Sequence, residues 1–428
     1  MNILIKNAYI ITMNEKEEIF ENADLAIEND RIKYVNDVPS DFKADKIIDG
    51  SKKAVLPGLI NAHTHMAMSL FRNYADDLPL HEWLTQKIWP IEDKLTGEDV
   101  YYGTMLSIVE SIKSGVTCFS DMYFFMDDTA KAALESGIRA RLAWGMIGSR
   151  ADDDSRFDIT KRFYSDWQGK GDGRITIMAG PHAPYTCSPE YLKRVADFVK
   201  EMSLSVHIHL SESKREVEEN YEKYGKSPIK HVYDIGIFDV PVTAAHCVHL
   251  SDEDIDILKE KNVSVVYNPG SNLKLGNGFA PVVKLLEKGV NVALGTDGSS
   301  SNNNVNMFEE INLAAILNKG VTGNPTVVPA IEALKMATIN GAKALCMDKD
   351  LGSIEVDKKA DIIIVDMNKP HFYPIHDVVS SMAYTAQGSD VETVIINGNI
   401  VMENYEIKTV DVEKLYYNVE RCINRLIG

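Results

Sequence analysis

The sequence has few cysteines and no long apolar run. Its five cysteines are dispersed, odd in number and form no CxxC pair: Cys118, Cys187, Cys247, Cys346 and Cys422. This pattern argues against a disulfide framework and a thiolate zinc site, and it favours a reducing, cytoplasmic compartment. No apolar run approaches the ~18 residues of a transmembrane helix. The N-terminal segment is interrupted by Lys6 and Asn7, which predicts a strand instead of a signal peptide.

Basic residues are also scarce relative to acidic ones. The 428 residues include 45 Lys and Arg against 63 Asp and Glu, a formal net charge of −18. Such a protein is poorly suited to bind nucleic acid or an anionic membrane, so a small molecule and a metal ion are the expected partners. With 45% hydrophobic and 25% charged residues, the composition is that of a globular protein and excludes a mainly disordered or collagen-like chain.

The two ends of the chain differ from its middle. Short apolar runs broken by charged turns occupy the start and return near the end, which predicts one small β-sandwich domain built from residues 1–55 and 350–428, with a C-terminal helix. Between them, about eight apolar runs alternate with amphipathic segments, as in an α/β protein with a parallel sheet. This count over ~290 residues predicts a (β/α)8 TIM-type barrel at 56–349. A doubly wound sheet is the alternative, but no GxGxxG follows the first strand.

Chemically reactive side chains stand where the predicted barrel strands end. The runs LINAHTHM, GPHAPYT, SVHIHLSES, VTAAHCVHL and ALGTDGSS carry His63 and His65, His182, His209 and Glu212, His246, and Asp297. Catalytic side chains of a barrel come from the C-terminal ends of different strands. We therefore expect these residues to converge on one site.

The HxH spacing is the first indication of a metal. Residues two apart on a strand share a face, so His63 and His65 both point into the barrel and can bind one cation. The same spacing recurs at His207 and His209, and the pattern does not decide which of the two is a ligand. Two histidines in the core or at the surface are the alternative reading of either pair.

Two further strand ends complete the candidate set. His246 follows its apolar run directly and is a better candidate than His249, which is expected in a loop. Asp297 precedes Gly298 and suits a turn or cap, but facing three histidines it becomes a candidate ligand and base. A His3Asp set favours zinc over iron or manganese and leaves room for a water. The metal lowers the pKa of that water, so we expect attack on an electrophilic carbon.

The ordered motifs carry a family resemblance. PGLINAHTHM, GPHAPYTC, HIHLSE, AAHCVHL and GTDGSSSNN together resemble the metal-dependent amidohydrolase superfamily, and within it the 5-methylthioadenosine/S-adenosylhomocysteine deaminase branch. The resemblance covers nearly the whole chain. It implies hydrolytic deamination of an adenosine derivative, namely 5′-methylthioadenosine, S-adenosylhomocysteine, 5′-deoxyadenosine or adenosine, to the inosine analogue and ammonia. It also implies an even-numbered homo-oligomer.

The resemblance gives each motif residue a role. One divalent metal would be held by His63, His65, His209 and Asp297. Glu212 would protonate a purine ring nitrogen, His246 would orient the attacking water, and Asp297 would take the proton of that water. His182 would contact the bound nucleoside. A solvated residue at a helix start is the alternative for Glu212.

The resemblance also implies substrate contacts from the first long loop, LHEWLTQKIWPIEDKLT. There Trp83 would wall the pocket, and Glu92 would accept hydrogen bonds from both ribose hydroxyls. Ser301 would contact the purine edge. A surface acid and a loop cap are the alternatives for Glu92 and Ser301.

The branch places two arginines near the homocysteine carboxylate. Arg156 matches one of them, and Trp144 stands at the position of the other. One arginine remains a charge-assisted donor, whereas tryptophan favours an apolar 5′ substituent. We therefore expect methylthioadenosine or 5′-deoxyadenosine to be used at least as well as S-adenosylhomocysteine.

Other readings differ in reaction class. The segment RITIMAGPHAPYT contains no lysine that could bridge two metals, and the chain has no HxE with PCxxC, which excludes the cytidine-deaminase zinc architecture. A guanine or cytosine deaminase or a triazine-type hydrolase is the nearest alternative, and Glu92 argues against it. A catalytically inactive scaffold is a remote alternative, because the inferred ligand set is complete.

Overall fold

The computed structural model describes residues 1–148 and 155–428. The acidic run at 151–154 lies outside these residues. The described strands are β1 Asn2–Ile11, β2 Ile19–Glu28, β3 Arg31–Asn36, β4 Lys46–Asp49, β5 Lys53–Pro57, β6 Leu59–Thr64, β7 Val116–Tyr123, β8 Arg139–Met146, β9 Ile175–Pro181, β10 Val206–Leu210, β11 Val242–His246, β12 Ser264–Tyr267, β13 Val292–Leu294, β14 Ile362–Asp366, β15 Val391–Ile396, β16 Asn399–Glu403 and β17 Glu406–Ile407.

Helices follow most barrel strands. The described helices are α1 Leu80–Glu82, α2 Trp89–Glu92, α3 Gly97–Lys113, α4 Met126–Ser136, α5 Ser155–Trp167, α6 Lys170–Gly173, α7 Pro189–Met202, α8 Lys214–Tyr224, α9 Pro228–Ile235, α10 Asp252–Glu260, α11 Pro269–Lys274, α12 Val282–Glu287, α13 Met307–Thr322, α14 Ala330–Met336, α15 Ile339–Ala344, α16 Val378–Ser380 and α17 Val412–Ile427. No helix in 1–148 or 155–428 is both long and apolar enough to span a membrane.

Strands β6 to β13 form a parallel, nearly closed barrel in sequence order. The backbone N–H of Asp297, just beyond β13, donates to the carbonyl of His63 on β6 at 3.0 Å, which brings the last strand end back to the first. The strands are buried along their length, as expected when helices cover the outside of a barrel. The predicted TIM-type fold is confirmed.

Local sequence explains the helical layer. In α7 the hydroxyl of Ser188 accepts the N–H of Tyr191, and Pro189 occupies the first turn, where its missing N–H costs nothing. The apolar residues of α7 recur at helical spacing and are buried against the barrel: Tyr191, Leu192, Val195, Ala196, Phe198 and Val199. In α8 the hydroxyl of Ser213 likewise accepts the N–H of Glu216. The helix is capped at its C-terminal end by Gly225, which has a φ of +70°.

The remaining strands belong to one mixed sheet that joins both ends of the chain. Its order is β17-β16-β15-β14-β5-β1-β2-β3, with β4 paired to β1. The chain ends meet where β5 pairs antiparallel with β14, with Val55 opposite Ile364. The small β unit predicted from both termini is confirmed, and its strands are hydrogen-bonded as a single sheet with its own isoleucine-rich core.

A buried ion pair fastens this sheet to the barrel. Arg139, at the start of β8, donates from Nε and Nη2 to the two carboxylate oxygens of Asp361 at 2.8 and 2.9 Å. Both side chains are about 5% exposed or less. Asp361 also accepts the backbone N–H of Asn397. This contact lies at the barrel end opposite the strand C-termini, because Arg139 is the first residue of its strand.

Candidate active site

Four predicted residues meet at the C-terminal mouth of the barrel. Nε2 of His63 lies 3.5 Å from Asp297 Oδ1, and Nε2 of His65 lies 3.3 Å from the same oxygen. Nε2 of His209 lies 3.3 Å from Nε2 of His65. The donor atoms form two overlapping groups within 4.8 Å, one of His63, His65 and Asp297 and one of His63, His209 and His246.

The protonation states of these residues suit a cation. Burial lowers the pKa of His63 to about 3 and places the pKa of His209 well below its usual range, so both imidazoles are neutral near pH 7. Burial would raise the pKa of Asp297, but its contacts with His63 and His65 outweigh this and keep the pKa well below normal. Nε2 of His63 is buried without a hydrogen-bond partner among the described residues. Neutral imidazole nitrogens beside a carboxylate fit one divalent ion.

Backbone carbonyls orient two of the histidines. Nδ1–H of His65 donates to the carbonyl of Met122 at 2.7 Å, and Nδ1–H of His209 donates to the carbonyl of His182 at 2.8 Å. Each bond fixes the tautomer and leaves Nε2 free to face the cluster. Both rings are therefore held with Nε2 toward the cluster by contacts to the neighbouring strands.

The two histidines of the β10 HxH motif lie at different depths in the barrel. His209 faces the cluster, whereas Nε2 of His207 lies 2.7 Å from Nδ1 of His63 and its Nδ1 lies 3.3 Å from Ser120 Oγ. His207 is one layer deeper in the barrel and supports His63. The choice that the sequence pattern left open is thereby decided in favour of His209 as the residue at the cluster.

Asp297 is held by two hydroxyl groups. Ser271 Oγ donates to Oδ2 at 2.6 Å and Ser301 Oγ donates to Oδ2 at 2.8 Å, which leaves Oδ1 toward the histidines. Ser301 is buried, and the described cavity wall does not include it. In the structure Ser301 thus contacts Asp297, and the contact expected between Ser301 and a purine edge stays a prediction.

Glu212 is a buried carboxylic acid beside this cluster. Asn277 Nδ2 donates to its Oε1 at 2.9 Å, and its Oε2 lies 3.8 Å from His246 Nε2. Burial raises the pKa of Glu212, partly offset by the nearby His246. Its backbone N–H donates to the carboxylate of Glu216 at 2.8 Å, which fixes the start of α8. Because burial favours its protonated form, this carboxyl group is suited to the role of a proton donor.

His246 lies between Glu212 and the cluster of His63, His65, His209 and Asp297. Its Nδ1 is 2.9 Å from the side-chain oxygen of Asn272, so Nδ1 carries the proton and Nε2 faces Glu212. Burial lowers the pKa of His246, but the charges of Glu212 and Asp297 outweigh it and raise the pKa overall. His246 has a φ of +72°, a strained backbone conformation of the kind found at functional sites. His249 lies apart, with Nε2 2.7 Å from the carbonyl of Asn277.

One cavity opens over these residues. His65, His182, His209, Glu212, His246 and Asp297 lie in its wall. The segment after β6 supplies the opposite wall: Leu80, Trp83, Leu84, Ile88, Trp89 and Glu92. Trp83 is buried there, and Nδ1 of His182 lies 2.9 Å from Thr186 Oγ1. Trp83, Glu92 and His182 thus lie in the wall of a cleft over the cluster, and their contacts with a substrate stay predictions.

The comparisons with known proteins agree with this geometry. A model of the amidohydrolase family matches residues 54–401. The chain belongs to the amidohydrolase family. A curated relative from Thermoanaerobacter pseudethanolicus, named 5-methylthioadenosine/S-adenosylhomocysteine deaminase, is 59% identical over 429 residues and covers 100% of both chains. A relative of the same name from Dictyoglomus thermophilum is 53% identical over 427 residues, covering 100% of this chain and 99% of its own.

Solved structures share the fold of this amidohydrolase. A zinc-bound adenosine deaminase from Xanthomonas campestris superposes with a TM-score of 0.94 at 34% identity, covering 99% of this chain and 98% of that one. The zinc-complexed atrazine chlorohydrolase of Arthrobacter aurescens superposes with a TM-score of 0.92 at 25% identity, covering 98% and 100%.

Trp144 and Arg156 were both expected near the 5′ end of a substrate. In this amidohydrolase Trp144 points away from the cavity, whereas Arg156 lies near its rim. Trp144 packs against Phe163 of α5, with ring centroids 5.9 Å apart, and Gly145 lines the cavity. Successive residues of a strand point to opposite sides, so the tryptophan faces the helical layer. Arg156 lies near the rim, where its guanidinium carbon is 6.0 Å from the ring of the cavity-lining Phe124.

Four residues of the site were missed in the sequence. Tyr123 donates to Glu92, Ser271 to Asp297, and Asn277 to Glu212, while Asn272 accepts from His246. The segment NPGSNLKLGNG follows β12, and the segment SDMYF contains the end of β7. Polar residues at these strand ends were the available signal.

We expect Ser301→Ala to weaken metal retention by roughly 10- to 100-fold, the usual effect of removing an outer partner of a ligand. The variant leaves Asp297 Oδ2 with Ser271 as a hydroxyl donor, so the carboxylate is less firmly oriented. Metal affinity measured against a competing chelator tests this. Ser300→Ala is the matched control, because the neighbouring Ser300 hydroxyl donates to the sulfur of Met68 and not to Asp297. Equal affinities in the two variants would contradict the role of Ser301.

Proposed function

We propose that this amidohydrolase removes the amino group of an adenosine derivative by hydrolysis, giving the inosine analogue and ammonia. Its substrates are 5′-methylthioadenosine, S-adenosylhomocysteine, 5′-deoxyadenosine or adenosine. The observation that carries the proposal is the placement of Glu212, a buried acid with a raised pKa, in the same cavity as the His and Asp cluster. The names of the curated relatives, at 46 to 59% identity, support the same chemistry.

The cluster would hold one divalent metal ion through His63, His65, His209 and Asp297. Imidazole and carboxylate donors favour zinc, with iron or manganese as alternatives. When bound, such an ion would lower the pKa of a water molecule to about 7, so that hydroxide would be available at neutral pH.

The protein side chains then direct the protons. Glu212 donates its proton to the ring nitrogen beside the amino-bearing carbon, which makes that carbon electrophilic. Nε2 of His246 orients the attacking water, and Oδ1 of Asp297 accepts its proton, since Oδ2 is already engaged by two hydroxyls. Asp297 then passes this proton to the departing amino group, which leaves as ammonia, and the hydroxyl proton of the intermediate returns to Glu212 as the carbon–oxygen double bond forms. General acid and base assistance contributes roughly 10²- to 10⁴-fold in rate.

Glu92 would select a nucleoside over a free base. Its carboxyl group lines the cavity wall formed by the segment after β6. An ionised carboxylate has about four acceptor sites and can accept from both ribose hydroxyls. This favours a nucleoside over guanine, cytosine or a triazine, none of which carries a vicinal diol.

A panel of adenosine analogues varied at the 5′ position tests the proposal, read by the absorbance change from adenine to hypoxanthine. We expect methylthioadenosine and 5′-deoxyadenosine to be used at least as well as S-adenosylhomocysteine. Ile147 and Phe124 give the cavity wall an apolar surface, and Arg156 lies near its rim. Preference for S-adenosylhomocysteine by tenfold or more would contradict the order. Ammonia release from guanine or cytosine, but from none of the adenosine analogues, would contradict the proposed function. A purified protein with far less than one metal ion per chain would favour a catalytically inactive scaffold.

We also propose a cytoplasmic location, since all five cysteines are unpaired thiols. The division into a barrel at 56–349 and a composite unit of 1–55 and 350–428, and assembly as an even-numbered homo-oligomer, belong to the same proposal.

A further inference from the structure

Glu92 and Tyr123 meet across the cavity from different elements. Glu92 ends α2, in the segment between β6 and α3, whereas Tyr123 is the last residue of β7 in the barrel wall. The hydroxyl of Tyr123 donates to Oε1 of Glu92 at 2.5 Å. Both side chains line the cavity, and Tyr123 is only 5% exposed. The bond therefore joins the covering segment to the barrel inside the site.

The hydrogen bond from Tyr123 orients the carboxyl group of Glu92. A distance of 2.5 Å lies at the short end of O–H···O hydrogen bonds and within the range of a charge-assisted O–H···O⁻ bond. With Tyr123 on Oε1, Oε2 and the remaining lone pair of Oε1 stay available to other donors. Burial raises the pKa of Glu92 to about 7, and the Tyr123 hydroxyl opposes this rise by stabilising the carboxylate.

The tyrosine itself is held in place. Its ring centroid lies 5.4 Å from that of Phe124 and 6.2 Å from that of His65. As a strand residue in the barrel wall it is anchored by β-sheet hydrogen bonds to β8. Glu92 has no such anchor, because α2 is a single turn that follows the π-helical segment Trp83–Ile88.

We propose that Tyr123 is a positioning residue for ribose recognition, which holds the Glu92 carboxylate in the orientation that accepts both hydroxyls of a vicinal diol. The inference rests on the proposed deaminase function and goes beyond it by assigning the discrimination between ribose and deoxyribose to a pair of residues. Tyr123 acts through Glu92, and its own hydroxyl does not contact the sugar.

The test compares adenosine with 2′,3′-dideoxyadenosine in the wild type, Tyr123→Phe, Glu92→Ala and the double variant. For Tyr123→Phe we expect KM for adenosine to rise on the order of tenfold, the size of one hydrogen bond to a charged group, with kcat nearly unchanged. KM for the dideoxynucleoside should stay at the wild-type value. In the Glu92→Ala background, Tyr123→Phe should change neither KM, because the two residues act as one unit.

A matched control comes from the surface. The hydroxyl of Tyr101 donates to Glu135 at 2.5 Å, a bond of the same kind outside the cavity, so Tyr101→Phe should leave both KM values unchanged. An equal rise in KM for both nucleosides in Tyr123→Phe, or a further rise in the Glu92→Ala background, would overturn the inference while leaving the deaminase function intact. A wild-type enzyme that deaminates no nucleoside would overturn both.

Discussion

Replacing Glu212 by glutamine is expected to lower kcat by about 10²- to 10⁴-fold, the contribution of a positioned acid, while KM changes little. The amide keeps an oxygen that can accept from Asn277, so the local geometry survives. The amide protons of glutamine are too weakly acidic to be transferred to the purine ring. Steady-state rates of ammonia release, with binding of the inosine product measured separately, give both quantities.

Glu219→Gln is the matched control for this variant. Glu219 lies on the same helix α8, its side chain is 53% exposed, and it pairs with Arg215 at the surface. The Glu219→Gln enzyme should deaminate its substrate at the wild-type rate. A Glu212→Gln enzyme that retains kcat within tenfold of the wild type would remove Glu212 from the role of acid.

Replacing Arg139 by methionine is expected to lower the free energy of unfolding by about 3 to 5 kcal/mol, because the substitution leaves a buried charge unpaired. Asp361 would keep its carboxylate at the junction of the barrel and the terminal sheet, with the backbone N–H of Asn397 as a remaining donor. Urea denaturation, analysed from the shift of the midpoint at constant slope, measures the loss.

The control for Arg139 is an ion pair of the same chemistry at the surface. Arg215→Met removes a partner of Glu219 in an exposed pair and should cost at most about 0.5 kcal/mol. The double variant Arg139→Met with Asp361→Leu removes both charges and should recover part of the stability. An Arg139→Met protein as stable as Arg215→Met would show that the buried pair does not join the two parts.

The spacing of residues along single strands was enough to predict much of the site. The HxH of β6 and the positions of His246 and Asp297 at the ends of apolar runs were predictable, because side chains alternate on a strand and parallel strands end at one mouth. The same reasoning could not rank His207 against His209. Both point inward, and only their depth along the barrel axis separates the residue beneath the cluster from the residue in it.

Loop and junction residues were less predictable. The hydrogen bonds from Ser271 and Ser301 to Asp297 were not predicted, since the direction of a loop side chain depends on how the loop folds. Trp144 faces Phe163 because the register of β8 in the closed barrel sets which alternate residues point inward. The bond between Tyr123 and Glu92 joins residues 31 positions apart on different elements, so no local pattern contains it.

The sequence by itself determined the alternation of strands and helices, the return of β structure at the C-terminal end, and the types of donor at each strand end. These properties depend on local periodicity and on the chemistry of single side chains. Only the tertiary structure decided which histidine lies at the cluster, which hydroxyls hold Asp297, and how Glu92 is oriented. Those outcomes depend on closing the barrel and folding the segment after β6 over its mouth, which bring together side chains whose separation in sequence carries no information about their distance.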